Sequence, residues 1–450
     1  MRFPRYPKYK DSSVEWLNEV PGHWSIAKLG AISSLKGRLG WQGLKADEYR
    51  DEGPYVVSSA HFDNHQIQWN ECPRVSQERY DIDSNIQLSE SDVLLMKDGA
   101  AMGKLAFVGF LPGQACLNSH LLLFRPTKIE GVRSYEPKFL FYFMQTGYFQ
   151  EHIKVNGTGA TFLGISQDAI ARYQIATPPL PEQTQIAAFL DRETAKIDAL
   201  VAEQRRLMEL LKEKRLAVIS HAVTRGLNPQ APMKSSGIEW LGDVPEHWEV
   251  RRVKSVSTFT TSGPRGWSER VGDEGSLFVQ SGDLNQTLGV DFANSKRVSV
   301  AADAEAARTL LCDGDVVVCI TGAKTGNVAV CVSVPEAAYI NQHLCLIRPN
   351  SDVLPVFLGV LLKCNLGQTY FDFSQYGLKQ GLSLEDVREA PVLVPPLTEQ
   401  STIVWYVETE SAKFDTLTTE AQRAIDLLQE RRTALISAAV TGQIDLRKAA

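Results

Sequence analysis

The chain lacks a cysteine framework. Its seven cysteines (Cys72, Cys116, Cys312, Cys319, Cys331, Cys345 and Cys364) form an odd, unevenly spread set with no CxxC spacing. That pattern argues against both a disulfide scaffold and a thiolate metal site, and it leads us to expect a reduced, cytoplasmic setting. No run of about 18 uncharged apolar residues occurs, so no membrane-spanning helix is expected. The opening MRFPRYPKYKDSS carries prolines and charges without an apolar core, unlike a secretory signal. A basic excess is missing too: 47 Lys plus Arg stand against 53 Asp plus Glu, for a net charge of -6. This speaks mildly against an autonomous nucleic-acid binder, although a local basic face or a basic partner is compatible with the average.

Catalytic signatures are equally scarce. TGAKTGN, with Gly322, Lys324 and Gly326, has neither the spacing nor the GK[ST] ending of a phosphate-binding loop, and the other copy places Ala101 where Lys324 stands. Glu136 and Lys138 in YEPKF resemble the end of a metal-dependent nuclease motif. No aspartate lies between Asp98 and Glu136, however, so the pair reads as surface charge. PPLPEQ and PPLTEQ lack the preceding Asp or Asn and the aromatic residue of a methyltransferase site, and no glycine-rich strand-to-helix signature for a nucleotide-like cofactor is present. No catalytic, cofactor-binding or metal residue is assigned. The chain is expected to bind and position, not to react.

What the sequence has in abundance is repetition. SSVEWLNEVPGHW (12–24) returns as SSGIEWLGDVPEHW (235–248), with both tryptophans displaced by 224. SDVLLMKDGAAMGKLAFV (91–108) is echoed by GDVVVCITGAKTGNVAVC (314–331), and CLNSHLLLFRP (116–126) by YINQHLCLIRP (339–349), both at 223. IATPPLPEQ (175–183) reappears as VLVPPLTEQ (392–400) at 217. Long, slightly drifting offsets mean two homologous halves, not a short-period solenoid.

Each half opens with short branched-rich runs bounded by Gly and Asp, such as GPYVVSS, DVLLMK and HLLLF against GSLFVQS, DVVVCI and HLCLI, which read as strands. Helical patterns follow in EPKFLFYFMQTGYFQEHI and LPVFLGVLLKC, giving a mixed α and β domain. Trp16, Trp24, Trp240 and Trp248 read as a hydrophobic clasp. Glu182 and Glu399, just after the prolines, suit the positive end of a helix.

After each proline segment comes a pattern long enough for a helix of roughly 40 residues, about 60 Å, with Gly226 placed to stop the first. Ile197, Leu200, Gln204, Leu207, Leu211, Lys214 and Val218 alternate steps of three and four. Phe414, Leu417, Ala421, Ala424, Leu428, Arg431 and Leu435 repeat them at 217. Such a heptad row predicts that the two helices pair antiparallel as a coiled coil, the alternative being amphipathic helices that each cover their own domain's sheet. The expected architecture is α+β: two homologous mixed domains separated by a two-helix spacer, with boundaries at 1–180, 181–229, 230–397 and 398–450.

These motifs carry a resemblance. GDVVVCITGAKTGNVAV with NQHLCLIRP, its copy SDVLLMKDGAAMGKLAFV with NSHLLLFRP, the PPLPEQTQIAAFL and PPLTEQ segments and the ending RRTALISAAVTGQIDL are similar to those of the specificity (S) subunit of Type I restriction-modification systems. The resemblance covers nearly the whole chain; Thr398, Ser401 and the bulky Trp405 vary the second proline-glutamine segment. It implies a noncatalytic, double-stranded-DNA-binding subunit in which each half reads one half-site of a bipartite, asymmetric target. It also implies two modification subunits that use S-adenosylmethionine to methylate adenine, and restriction subunits that use ATP and Mg, with none of those sites on this chain.

Candidates for the DNA face are Lys36, Arg38, Lys104 and Lys154 in the first half and Arg265, Lys324, Arg348 and Lys379 in the second, each equally able to be a solvated charge. Arg348, like Arg125, could instead anchor the strand before its proline. Asn118, His120, Gln342 and His343 are further polar candidates; because NSH and NQH recur, they read more readily as scaffold. The divergent loops 36–50, 59–70, 260–270 and 281–294 are expected to carry specificity. A tandem protein-interaction scaffold without DNA recognition is the alternative reading.

Overall fold

A computed structural model describes residues 3–37, 48–159, 163–375 and 381–447. The chain forms two compact units, Met1–Gln204 with Arg423–Ala450 and Arg205–Gln422. These boundaries differ from those drawn on the sequence, because each long helix contributes one half to each unit's core instead of standing apart. Ile186, Phe189 and Leu190 share the first core with Ile436, Ala439 and Val440. Ala222 and Val223 share the second with Ile403 and Val407.

Each unit is built on a four-stranded antiparallel sheet. In the first the order is Ser33–Gly37, Leu121–Pro126, Val93–Met96, Leu105–Phe107; in the second it is Ser257–Ser262, Leu344–Pro349, Val316–Cys319, Val328–Val330. The central strands VLLM and VVVC are buried throughout, which explains why they read as continuous apolar runs. Their alternation feeds two cores. Val93 and Leu95 pack toward the helices, while Leu94 and Met96 face the layer containing Val56, Val57, Cys116 and Leu117. Val316 and Val318 divide from Val317 and Cys319 in the same way. In that outer layer Arg50–Val57 pairs parallel with Ala115–Leu117, and Ser276–Val279 with Ala338–Ile340.

The central helix runs over Leu180–Arg225 and the C-terminal helix over Leu397–Val440. Their starts are stapled by the glutamine of each PEQ or TEQ. The Gln183 side chain donates to Pro178 O at 2.8 Å and accepts from Glu136 N at 2.9 Å; Gln400 donates to Pro395 O at 2.8 Å and accepts from Leu354 N at 2.8 Å. Both ends are followed by a left-handed glycine, Gly226 and Gly442, each at φ +75°. Glu182, beyond its place in the first turn, is a buried carboxylate accepting from Tyr6 Oη at 2.6 Å and Trp24 Nε1 at 3.1 Å, with His23 Nε2 at 2.7 Å. Trp24 and Trp248 are fully buried, as a clasp requires, whereas Trp240 is partly exposed.

The heptad row is shifted from the sequence reading. Leu200, Leu207 and Leu417 are 45%, 42% and 46% exposed and lie off it. Lys214 and Arg431 are exposed as well. The buried and half-buried row in the first unit is Leu190, Thr194, Ile197, Val201 and Gln204, with Ile425, Leu428, Arg432, Leu435 and Ala439. In the second unit it is Met208, Leu211, Arg215, Val218 and Ala222, with Val407, Ser411, Phe414, Thr418 and Ala421. Every second member is common to both rows, so Ile197, Leu211, Val218, Phe414, Leu428 and Leu435 stay on it. The intermediate members move one residue later.

The physical reason is that this phase buries Val201 and Ile425, half-buries Met208 and gives each inward arginine an acid. Within the first unit Arg432 Nε meets Asp198 Oδ1 at 3.0 Å, and within the second Arg215 Nη1 meets Asp415 Oδ1 at 2.5 Å. The two pairs are related by the same offset of 217, and both require antiparallel helix segments inside their unit. No helix among the described residues is long and apolar enough to cross a membrane.

Candidate nucleic-acid interface

Strand register decides which loops meet. In the first unit Gly37 pairs with Leu122, and Met96 with Leu121. The exit of Ser33–Gly37, the 97–104 turn and the 118–120 turn therefore lie at one end of the sheet. In the second unit Ser262 pairs with Cys345 and Cys319 with Leu344, gathering 263–265, 320–327 and 341–343 at the equivalent end. Backbone bonds lock the loops together: Lys97 N to His120 O at 3.1 Å and Ile165 N to Lys97 O at 2.9 Å, matched by Ile320 N to His343 O and Leu382 N to Ile320 O, both at 2.8 Å.

A glutamine braces each glycine turn from the neighbouring helix. Gln150 Nε2 donates to Gly103 O at 3.1 Å and Gln368 Nε2 to Gly326 O at 2.9 Å. Gly103 sits at φ +92°, a conformation that favours glycine, and a Cβ there would come 2.6 Å from Gln150 Oε1 and displace the brace.

The lysine and arginine candidates other than Arg348 sort into three groups. Lys36 is exposed on Ser33–Gly37; Lys154 is exposed in the last turn of the helix Gly147–Val155 that carries Gln150; Arg265 is exposed just after Gly263, whose backbone packs on Asn341. Lys104 and Lys324 come from positions that do not align, yet each amine donates into the equivalent short 3-10 turn, to Ser59 O at 3.0 Å and to Gly282 O at 3.3 Å. Arg38 and Lys379 lie outside the described residues.

Arg348 is anchored in the scaffold, which corrects its place on the DNA face. Its Nε and Nη2 grip the two oxygens of buried Asp315, each at 2.8 Å, and Nη2 also donates to Leu310 O at 3.1 Å. Arg125 does the same to Asp92 at 2.8 and 2.6 Å. Hydrogen bonding to the carboxylate raises both guanidinium pKa values further, so neither loses its charge. Asn118 and Asn341 are turn-formers: their Oδ1 atoms accept from His120 N at 2.8 Å and His343 N at 3.0 Å.

Two residues absent from the sequence candidates face those histidines. Asp98 Oδ1 lies 2.6 Å from His120 Nδ1, with Lys97 Nζ on its other oxygen at 3.1 Å. At the aligned position Thr321 Oγ1 lies 2.5 Å from His343 Nδ1, and Gln342 Nε2 is 3.4 Å from His343 Nε2. The available signal was a doubled position, KDGAAMG against ITGAKTG, where one half carries Asp and the other Thr.

The flanking 3-10 turns differ likewise. In one, Ser58 N bonds to His61 Nδ1 at 3.1 Å, and burial lowers the pKa of that imidazole, favouring the neutral acceptor. In the other, Gln280 N bonds to Asp283 Oδ2 at 2.8 Å, and burial pushes that carboxyl upward. Beyond them, Phe62–Asp63 and Gln66–Ile67 form a hairpin, whereas Asn285 Oδ1 organises the other loop by accepting from Thr287 N at 3.0 Å and Gly289 N at 2.7 Å. Among the described residues no group of three or more His, Cys, Asp or Glu is arranged to hold a metal ion.

The repeated sheets, each followed by half of two long helices, coincide with a known family pattern. Residues 21–208 and 245–426 each match the Type I restriction modification DNA specificity domain. The chain belongs to that family. Similar proteins include the EcoBI specificity subunit of Escherichia coli, 26% identical over 73% of this chain and 70% of that protein. The EcoKI specificity subunit of Escherichia coli K12 is 22% identical over 95% and 90%. Among solved structures, a chain from a type I R-M system complex superposes with a TM-score of 0.70 at 16% identity, covering 94% of this chain and 98% of that one. The HsdS subunit of Thermoanaerobacter tengcongensis gives 0.54 at 17%, again over 94% and 98%. At such identities these neighbours speak for the fold, which is two homologous mixed domains with a long-helix spacer.

Proposed function

We propose that this chain is the noncatalytic DNA-reading subunit of a Type I restriction-modification enzyme, recognising a bipartite, asymmetric duplex target through one sheet-end loop cluster on each unit. The observation that carries this reading is the pairing of one scaffold with two sets of side chains. The glycine turns, the glutamine braces and the Asn-x-His turns recur, while Asp98, His61 and the hairpin at 62–67 give way to Thr321, Asp283 and the Asn285 loop. A repeated frame with unequal reading groups suits two different half-sites.

Lys36, Lys154 and Arg265 are the cations assigned to phosphate contact, with Lys104 and Lys324 beside the flanking 3-10 turns and Gln342 and His343 at the base-facing edge. In this reading the chain works in the cytoplasm with two modification subunits, which bind S-adenosylmethionine, flip the target adenine and methylate it. Restriction subunits using ATP and Mg complete the enzyme. The partners supply much of the positive surface that a net charge of -6 does not.

Co-expression with the cognate adenine methyltransferase, followed by long-read mapping of methylated adenines, tests the reading directly. The expected result is one motif made of two unlike half-sites at a fixed separation. An assembly that forms but binds and methylates without sequence preference refutes it, and favours a protein-interaction scaffold.

A further inference from the structure

The two histidines at the sheet ends have the same backbone setting and different chemistry behind the ring. His120 and His343 are held by an Asn side chain on their own N–H and by a neighbouring strand-end N–H on their carbonyl. The atom facing Nδ1 is a carboxylate oxygen of Asp98 at 2.6 Å in one unit and the hydroxyl of Thr321 at 2.5 Å in the other. An ionised carboxylate only accepts, so it requires a proton on Nδ1 of His120; a neutral ring then has Nε2 as an acceptor. A threonine hydroxyl can donate as well as accept, so it admits the opposite tautomer, in which His343 Nε2 carries the proton and donates, with the Gln342 amide beside that nitrogen turned to present its oxygen.

We propose that Asp98 and Thr321 are positioning residues that set the hydrogen-bond polarity with which His120 and His343 read a base edge, so that one frame discriminates different bases in its two copies. This deepens the DNA-reading function proposed above and rests on it. In the major groove an acceptor selects the exocyclic amino group of cytosine or adenine, whereas a donor selects N7 or O6 of a purine. Lys97, whose amine lies 3.1 Å from Asp98 Oδ2, holds the other oxygen of the carboxylate and so fixes its orientation toward the ring. His120 is 44% exposed at its side chain and His343 is exposed, so both rings reach the surface on which the loops converge.

The test uses the full assembly with duplexes bearing the mapped target and every single-base variant of each half-site. Asp98→Asn, which is isosteric and lets Nδ1 accept, is expected to change preference at one base pair of the first unit's half-site on the order of tenfold, leaving the other half-site intact. Thr321→Asp is expected to do the converse. In a His120→Ala background, Asp98→Asn is expected to have no further effect on base preference, because the carboxylate acts through the ring.

The proposal is overturned if Asp98→Asn shifts preference equally with and without His120, if it weakens both half-sites alike, or if folded variants of both positions leave every preference unchanged. Should Asp98→Asn fail to fold, Thr321→Asp together with His343→Ala decides the matter in the other unit. Loss of half-site preference in the unaltered assembly would refute the DNA-reading function itself, a separate outcome.

Discussion

Replacing Arg348 by methionine separates a scaffold arginine from a DNA-contacting one. Asp315 is 1% exposed and accepts from Arg348 Nε and Nη2, each at 2.8 Å, and from Cys312 N at 2.7 Å. Arg348→Met leaves that carboxylate with one backbone donor and no countercharge, a situation that costs about 3–5 kcal/mol. The outer edge of the guanidinium is in water, with the side chain 37% exposed, so solvent can enter behind it and the lower end, about 3 kcal/mol, is expected.

With a urea m-value of about 2–3 kcal/mol/M, this moves the midpoint of the second unit by about 1–1.5 M. Amide hydrogen exchange across Leu344–Pro349 reports that unit, and Leu121–Pro126 in the other serves as the internal control. Arg125→Met is expected to reverse the pattern, since Asp92 is buried to the same degree behind the same fork. The reasoning is refuted if Arg348→Met leaves exchange and midpoint unchanged while the salt dependence of DNA binding loses about one unit of slope, the mark of a phosphate contact.

Three further outcomes are expected. Ile425→Ala, on the buried heptad row, should lower stability by about 2–4 kcal/mol, whereas Leu417→Ala should cost about 0.5 kcal/mol; equal effects in thermal melts would restore the row first read from the sequence. Burial lowers the Lys363 amine to about 8, below its ordinary value near 10.5, so the unfolded chain binds the proton more tightly. Stability should therefore rise with pH between about 8 and 10.4 relative to Lys363→Met, and parallel pH profiles of the two proteins would contradict this. Inserting one seven-residue heptad at matched points of both long helices keeps the row in phase and adds about 10.5 Å of helix, roughly three base pairs of DNA. Methylated-site mapping should show that increase, and an unaltered separation would dismiss the spacer role.

The sequence by itself determined the halves, the strands and the helices, because these follow from local patterning. VLLM and VVVC are continuous apolar runs, Gly226 is placed to stop the first long helix, and 217–224-residue offsets align every landmark. The same patterning also supported a mistaken heptad row: Leu200, Leu207 and Leu417 are as apolar as Val201, Met208 and Ile425, and a one-dimensional period does not choose between rows that share every second residue. Tertiary structure chose, by placing Asp198 and Asp415 where Arg432 and Arg215 must reach them.

The candidate interface divides in the same way. Its glycines and Asn-x-His turns were legible as a doubled motif, but the partner of each polar group lies on another strand, a relation no spacing encodes. Only the sheet register brought Asp98 to His120 and Thr321 to His343, and only the fork on Asp315 moved Arg348 from the surface into the frame. Composition and periodicity specify which faces are apolar; which charge meets which is set when two segments far apart in the chain are folded to within hydrogen-bonding distance.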